Sequence, residues 1–236
     1  VKRTRPVVAI DGPAGAGKTT VTRRVAAALG YLLVDTGAIY RSVALAAERA
    51  NTSWDDIEAV GLLARALAER SGIRFESAAD GSQRVLLEGD DVSTAIRTQH
   101  IADGASRVSA LPAVRAALLA MQRDAGASGG VVLEGRDIGS VVFPDSEAKF
   151  FLTASVDVRA ERRLKELVAR GESASMEDIR REVIERDRRD STREVAPLIK
   201  ARDAIEVDTS GLGIDEVVAR IVARVREVEA ELRRAT

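Results

Sequence analysis

The sequence predicts an α/β fold: a five-stranded parallel sheet flanked by helices, with a small antiparallel β insert and a short helical lid. Three observations carry this expectation. Short apolar runs alternate with amphipathic stretches along the 236 residues, the pattern of strands joined by helical crossovers. The alternation breaks once, at residues 71–93, where hydrophobic periodicity drops to two. Two arginine-rich helical stretches then follow one another late in the chain.

The elements read in order as follows. Val7-Val8-Ala9-Ile10-Asp11 is a buried strand, and Thr20 to Leu29 is a helix stopped by Gly30. Between them, Gly12-Pro13-Ala14-Gly15-Ala16-Gly17-Lys18-Thr19 fits G-x-x-x-x-G-K-[ST]. Strand, glycine loop and helix N-terminus together make an anion cradle, the opening of a P-loop NTPase fold. Tyr31–Asp35 is the second strand. Helices follow at Ala38–Ala50 and Asp56–Arg70. Ile73–Glu76 and Arg84–Glu88 alternate at period two around the turn-forming stretch Ala78-Ala79-Asp80-Gly81-Ser82, which predicts an inserted hairpin. Helices resume at Thr94–Arg107 and Leu111–Asp124. Gly130–Glu134 and Ala148–Leu152 are the third and fourth core strands. Val156–Arg170 and Met176 to about Asp190 are the arginine-rich helices. Ala204–Asp208 is the fifth strand, and the last helix runs from Ile214 to about Arg233.

Composition narrows the function classes. A charged fraction of 31% beside a hydrophobic fraction of 45% is that of an ordinary globular chain. With 36 basic and 37 acidic residues the net charge is −1, so no global field recruits nucleic acid or membrane. Aromatics at 3% are too few for base-stacking platforms. The absence of cysteine excludes disulfides and thiolate metal sites and suits a reducing cytoplasm. Val1-Lys2-Arg3-Thr4-Arg5 leads directly into the first strand, so no signal peptide is expected. The expectation is a cytoplasmic, monomeric enzyme with no nucleic-acid or membrane partner.

The loop predicts nucleoside triphosphate binding. Its amides face phosphate oxygens, Lys18 adds a positive charge, and Thr19 can ligate Mg²⁺. Three further constellations bear on the reaction. Asp35-Thr36-Gly37-Ala38-Ile39-Tyr40-Arg41 leaves the carboxyl end of strand two, where ligands of such sheets bind, and Arg41 can fork onto a second phosphate. Asp35 or Thr36 would serve equally as a helix N-cap. Glu134-Gly135-Arg136-Asp137-Ile138-Gly139 leaves strand three. Glu134 stands where an acidic residue orients Mg²⁺ or its water, while Arg136 and Asp137 fit either a site or a surface ion pair. In Arg186-Asp187-Arg188-Arg189-Asp190-Ser191-Thr192-Arg193, residues 186, 190 and 193 share one helical face. With Arg159, Arg162 and Arg163 on the preceding helix, this makes either a lid or a solvated helical pair. Ser106 and Arg115 are unremarkable by position, and neither His100 nor Trp54 carries a chemical motif.

The chain resembles the bacterial cytidylate kinases nearly end to end. The resemblance rests on the phosphate loop, DTGAIYR at 35–41, LEGDDVSTAIRTQ at 87–99, EGRDIGSVVFP at 134–144 and RDRRDSTREVAPL at 186–198. It implies a single P-loop kinase domain over 1–236, an inserted monophosphate-binding subdomain over 71–103 and a lid over 157–175. The implied activity is ATP-dependent phosphorylation of CMP and dCMP, with Mg²⁺. Lys18, Arg136 and Arg193 are the implied catalytic residues. The implied ATP site comprises residues 12–19, Thr20, Arg159, Arg162 and Arg163, with Thr19 on the metal and Glu134 reaching it through water. Arg41, Arg136 and Arg193 would hold the acceptor phosphate. Ser106, Arg115 and Asp137 would read cytosine with Thr36 nearby, and Arg186 and Asp190 would meet the ribose. Thr36 and Glu134 depart from the family's commoner serine and aspartate.

The chemistry agrees. A phosphate acceptor is already ionised near neutral pH and needs no general base, so positioning and charge neutralisation suffice. An acceptor-only carboxylate at Asp137 would favour the cytosine amine over the uracil carbonyl. A kinase for UMP or shikimate fits the hairpin insert and Asp137 less well. A nucleotide-gated switch would need a guanine-reading N-K-x-D, which the sequence lacks.

Overall fold

The computed structural model describes residues 3–77, 83–169 and 171–234. The chain packs as two compact units, Val1–Val34 with Gly126–Thr236, and Asp35–Ala125. In chain order its elements are β1 (Val7–Asp11), α1 (Lys18–Leu29), β2 (Leu32–Asp35), α2 (Thr36–Arg49), α3 (Ile57–Glu69), β3 (Ile73–Ser77), β4 (Gln83–Leu87) and β5 (Asp90–Asp91). Then come α4 (Gln99–Val108), α5 (Pro112–Gly126), β6 (Val131–Gly135), β7 (Ala148–Thr153), α6 (Val156–Ala169), α7 (Met176–Thr192), β8 (Ile205–Asp208) and α8 (Ile214–Arg234).

The first unit is built on the expected five-stranded sheet, in the order β2-β6-β1-β7-β8. β1 lies parallel to both β6 and β7, with Asp11 opposite Gly135 on one side and Phe151 on the other. A strand with neighbours on both edges and helices over it must be apolar throughout, and Val7, Val8, Ala9 and Ile10 are fully buried. Val8, Ile10, Val132, Phe150 and Leu152 pack against Val21 and Val25 of α1 and Val217, Ile221 and Val225 of α8. The chain then leaves β1 through Gly12 at φ +148°, where a Cβ would stand 2.0 Å from the Leu152 carbonyl oxygen. Only glycine lets the loop pass so close to β7. The smaller seam between α6 and α7 holds Ala160, Leu167, Ile179 and Val183.

In the second unit, α2 is the central helix, with ten buried residues. Ile39, Val43 and Ala47 share a core with Val60, Leu67, Ile101, Leu118 and the strand residues Ile73, Val85 and Leu87. Here the observed elements depart from expectation in two places. The hairpin gains a third strand, β5, which pairs Asp90 with Leu87 and Asp91 with Leu86; the turn expected at 78–82 lies outside the described residues. The helix expected over Thr94–Arg107 is split. Ala95–Arg97 is a 3-10 turn, and Thr98 (φ −68°, ψ 154°) is extended and caps α4, its hydroxyl accepting from the Ile101 N–H at 3.2 Å. Threonine's competing hydroxyl decides this break. α1 also begins two residues earlier than expected, at Lys18. Among the described residues no helix is long and apolar enough to cross a membrane.

Candidate active site

The phosphate loop closes on Gly17, whose left-handed φ of 85° turns the chain into α1 with no side-chain cap on its first-turn amides. Lys18, the first helical residue, is buried and donates to the carbonyls of Gly12 (2.8 Å) and Pro13 (2.7 Å). Burial pushes its ammonium well below the usual lysine range, and the charges of Arg136 and Arg186 add to this against Glu134 and Asp11. Such a strained cation gains from a phosphate brought beside it.

Glu134, near the end of β6, is gripped by two threonines of α1. Thr19 donates to its Oε1 at 2.9 Å and Thr22 to its Oε2 at 2.8 Å. Thr22 is fully buried and was not singled out from the sequence, although its position one turn after Lys18 points it back toward the strands. A hydroxyl and a carboxylate in contact form a pair of hard oxygen donors. Among the described residues no three acidic, histidine or cysteine side chains gather to hold a metal. The pair therefore fits Mg²⁺, which takes one or two protein oxygens beside phosphate, rather than an all-protein cage.

Beyond β6, two crossed ion pairs join the second and third motifs of this unit. Arg136 Nε donates to Asp190 Oδ2 at 2.9 Å, and Arg193 donates to Asp137 Oδ1 at 3.3 Å. The Arg193 side chain is 5% exposed and also donates to the Ala196 carbonyl at 2.6 Å. Burial works to raise the Asp190 carboxyl, yet Arg136, Arg186 and Arg193 together hold it below its ordinary value. These arginines can share one small volume because aspartates stand between them. Asp11, at the end of β1, accepts from the Ile138 N–H with one oxygen and the Gly139 N–H with the other, both at 2.8 Å. Full burial pushes its carboxyl up to about 6; the two N–H donors and Lys18 pull down, and Asp137 pushes up. Asp11 too was missed by sequence reasoning. Its signal is a carboxylate ending an otherwise apolar central strand.

The expected lid arginines divide. Arg159 is buried and bonds the Asp187 carboxylate through both terminal nitrogens, one at 2.9 Å, while also donating to the Ala14 carbonyl at 3.1 Å. Arg162 donates to the Thr209 carbonyl at 2.7 Å and to its hydroxyl at 3.0 Å, and the Thr209 hydroxyl in turn lies 3.1 Å from the Ala16 carbonyl. Thr209, just past β8, is a further residue that sequence reasoning passed over. Arg163 instead bonds Glu166 along its own helix at 3.0 Å. Two of the three therefore brace the phosphate loop, and the third points along α6.

Thr20 lies on α1 and Arg186 on α7, both in the first unit, while Thr36, Arg41, Ser106 and Arg115 belong to the second. Asp35 both caps α2, accepting from the Ala38 N–H at 3.0 Å, and pairs with Arg41 at 2.6 Å. Of the two residues that could cap α2, Asp35 does so. Thr36 is buried as the first residue of α2. Arg115, buried, lies 5.6 Å from the Tyr40 ring centroid and donates to the Ser109 carbonyl at 3.3 Å. Ser106 is buried, and among the described residues its Oγ has no hydrogen-bond partner; neither has Arg41 Nε. Orphaned polar atoms of this kind mark places where a polar ligand is favoured.

Comparison with known proteins matches these motifs as a set: the model of the family described as "Cytidylate kinase" covers residues 8–227. The chain belongs to the cytidylate kinase family. It is with that family an enzyme of the nucleoside monophosphate kinase class. A cytidylate kinase of Citrifermentans bemidjiense is 50% identical over 228 residues, covering 96% of this chain and 95% of its own. One from Chromobacterium violaceum is 48% identical over 227 residues, covering 96% of this chain and 98% of its own. Among solved structures, a gluconokinase from Sinorhizobium meliloti is similar with a TM-score of 0.50 at 15% identity, covering 99% of each chain, which speaks to the fold alone.

Proposed function

We propose that this chain transfers the γ-phosphoryl group of ATP in line to a phosphate oxygen of CMP or dCMP, giving the diphosphates and ADP. The observation that carries the reading is the crossed pairing Arg136–Asp190 and Arg193–Asp137 at the end of the strand beside β1. It sets two guanidinium groups where acceptor phosphate can be neutralised, next to a carboxylate able to read a base.

In this reading the loop amides and Lys18 bind the donor phosphates. Thr19, with Glu134 through water, would hold Mg²⁺, which would supply positive charge to offset that of the donor phosphates. Arg136 and Arg193 exchange their carboxylate partners for the acceptor phosphate, joined by Arg41. Asp137 accepts from the cytosine amine, helped by Ser106, Arg115 and Thr36, and Asp190 and Arg186 turn to the ribose. No general base is required because the acceptor oxygen is already ionised, so rate comes from alignment and preorganised charge. Arg159 and Arg162 hold the loop from the lid side. The enzyme works as a cytoplasmic monomer.

The test is ADP release from ATP and Mg²⁺ with CMP, dCMP, UMP, AMP and dTMP as acceptors. CMP and dCMP are expected to turn over with the highest kcat/KM. UMP or AMP outpacing CMP would overturn the substrate assignment.

A further inference from the structure

The turn that follows β6 is capped from the wrong side. Ile138–Val142 forms a single π-helical turn, and Asp137 stands at its N-cap position. Aspartate there normally bends its carboxylate back onto the first amides of the turn. Here Asp137 makes no such bond; its backbone carbonyl takes the N–H groups of Val141 (2.9 Å) and Val142 (3.1 Å), and its side chain faces Arg193. Of the two amides an N-cap side chain reaches, those of Gly139 and Ser140, Asp11 takes the first, and it takes that of Ile138 besides, each at 2.8 Å. Asp11 is fixed in turn by β1, the strand paired on both edges, and it sits directly opposite Gly135 of β6.

We propose that Asp11 is a positioning residue for base selection: by capping the turn in place of Asp137, it keeps the Asp137 carboxylate turned outward to the acceptor base. The proposal rests on the reading of Asp137 as the cytosine reader. A carboxylate suits the task because it offers two acceptors to two donors. An amide at residue 11 would satisfy one N–H and set its own N–H₂ against the other. The freed backbone donor then becomes available to Asp137, whose side chain is close enough along the chain to fold back onto it. Asp11 touches no substrate in this account; its effect travels wholly through Asp137.

The prediction is read as the ratio of kcat/KM for CMP to that for UMP, measured on one preparation so that loss of folded enzyme cancels. Asp137→Asn is expected to collapse the ratio, Asp11→Asn to lower it by about tenfold, and the double variant to fall no further than Asp137→Asn alone. Should Asp11→Asn not fold, Asp11→Ser, which keeps one acceptor in less volume, carries the same expectation. If Asp137→Asn collapses the ratio while the residue-11 variants leave it at the wild-type value, or lower it additively with Asp137→Asn, the positioning role of Asp11 is overturned. If Asp137→Asn itself leaves the ratio unchanged, the base-reading assignment fails first and takes this proposal with it.

Discussion

The arginine–aspartate pairs of the first unit and the residues Arg41 and Ser106 of the second hold their polar groups differently. In the first, Arg136, Arg159 and Arg193 are each paired with an aspartate of the same unit. In the second, Arg41 is paired through one terminal nitrogen while its Nε, like Ser106 Oγ, is buried without a hydrogen-bond partner. Gathering several guanidiniums beside a buried lysine costs too much unless anions stand among them, so the first unit supplies its own. A phosphate entering there must displace a carboxylate, which sharpens orientation at some expense in affinity. A ligand reaching Ser106 displaces no partner among the described residues, and a bond made there satisfies a buried hydroxyl.

The first unit should therefore lose rate, and the second affinity, when trimmed. Lys18→Ala is the most damaging change expected, about 10³-fold or more in kcat/KM, since it removes the charge nearest the loop. Arg136→Ala and Arg193→Ala should each cost about 10²- to 10³-fold in kcat/KM for CMP. They should also lower stability, because the buried Asp190 or Asp137 loses an ion-pair partner. Near-wild-type turnover with lowered stability would reduce those pairs to scaffolding.

Arg159 tests a pair that braces the phosphate loop. Its guanidinium is buried against Asp187 and the Ala14 carbonyl. Asp187→Asn should lower unfolding free energy by about 1–2 kcal/mol, less than for a fully buried pair because the Asp187 side chain is partly exposed. Denaturant titration measures it, and a change below about 0.5 kcal/mol would mean the brace carries no load.

The parallel sheet and the phosphate loop were legible because buried strands and a glycine loop have strong local patterns. Arg136, Asp137, Asp190 and Arg193 were legible as residues but not as pairs, since their partners lie 54 and 56 positions apart. Asp11, Thr22 and Thr209 escaped for the same reason. Each acts on a backbone or side chain far along the sequence, and no spacing rule connects them. The break at Thr98 escaped differently. Its helical periodicity continues through 94–107, and only a side-chain oxygen competing for a local amide ends it.

Asp11 offers a smaller effect with a definite sign. Its folded value of about 6 lies above the ordinary 3.8, so the fold holds that proton more tightly than the unfolded chain. The stability this group contributes is complete below the unfolded value and is lost as pH rises through 6. A shift of that size is worth on the order of 3 kcal/mol. The difference in unfolding free energy between the natural protein and Asp11→Asn should therefore move against the natural protein between about pH 4 and pH 7. A difference that stays flat across that window removes the proton from Asp11.

The smallest effect expected is also the cleanest separation of the two units. Ser106 Oγ is buried in α4 with no partner among the described residues, and a buried hydroxyl left unpaired costs about 1–3 kcal/mol. Ser106→Ala removes that cost and should leave Tm unchanged or slightly raised. If the hydroxyl serves the acceptor base, the same substitution should weaken CMP binding by about three- to tenfold, with KM for ATP unmoved. Calorimetric titration of CMP beside a thermal melt reads both quantities. A lower Tm with unchanged CMP affinity would make Ser106 a structural residue.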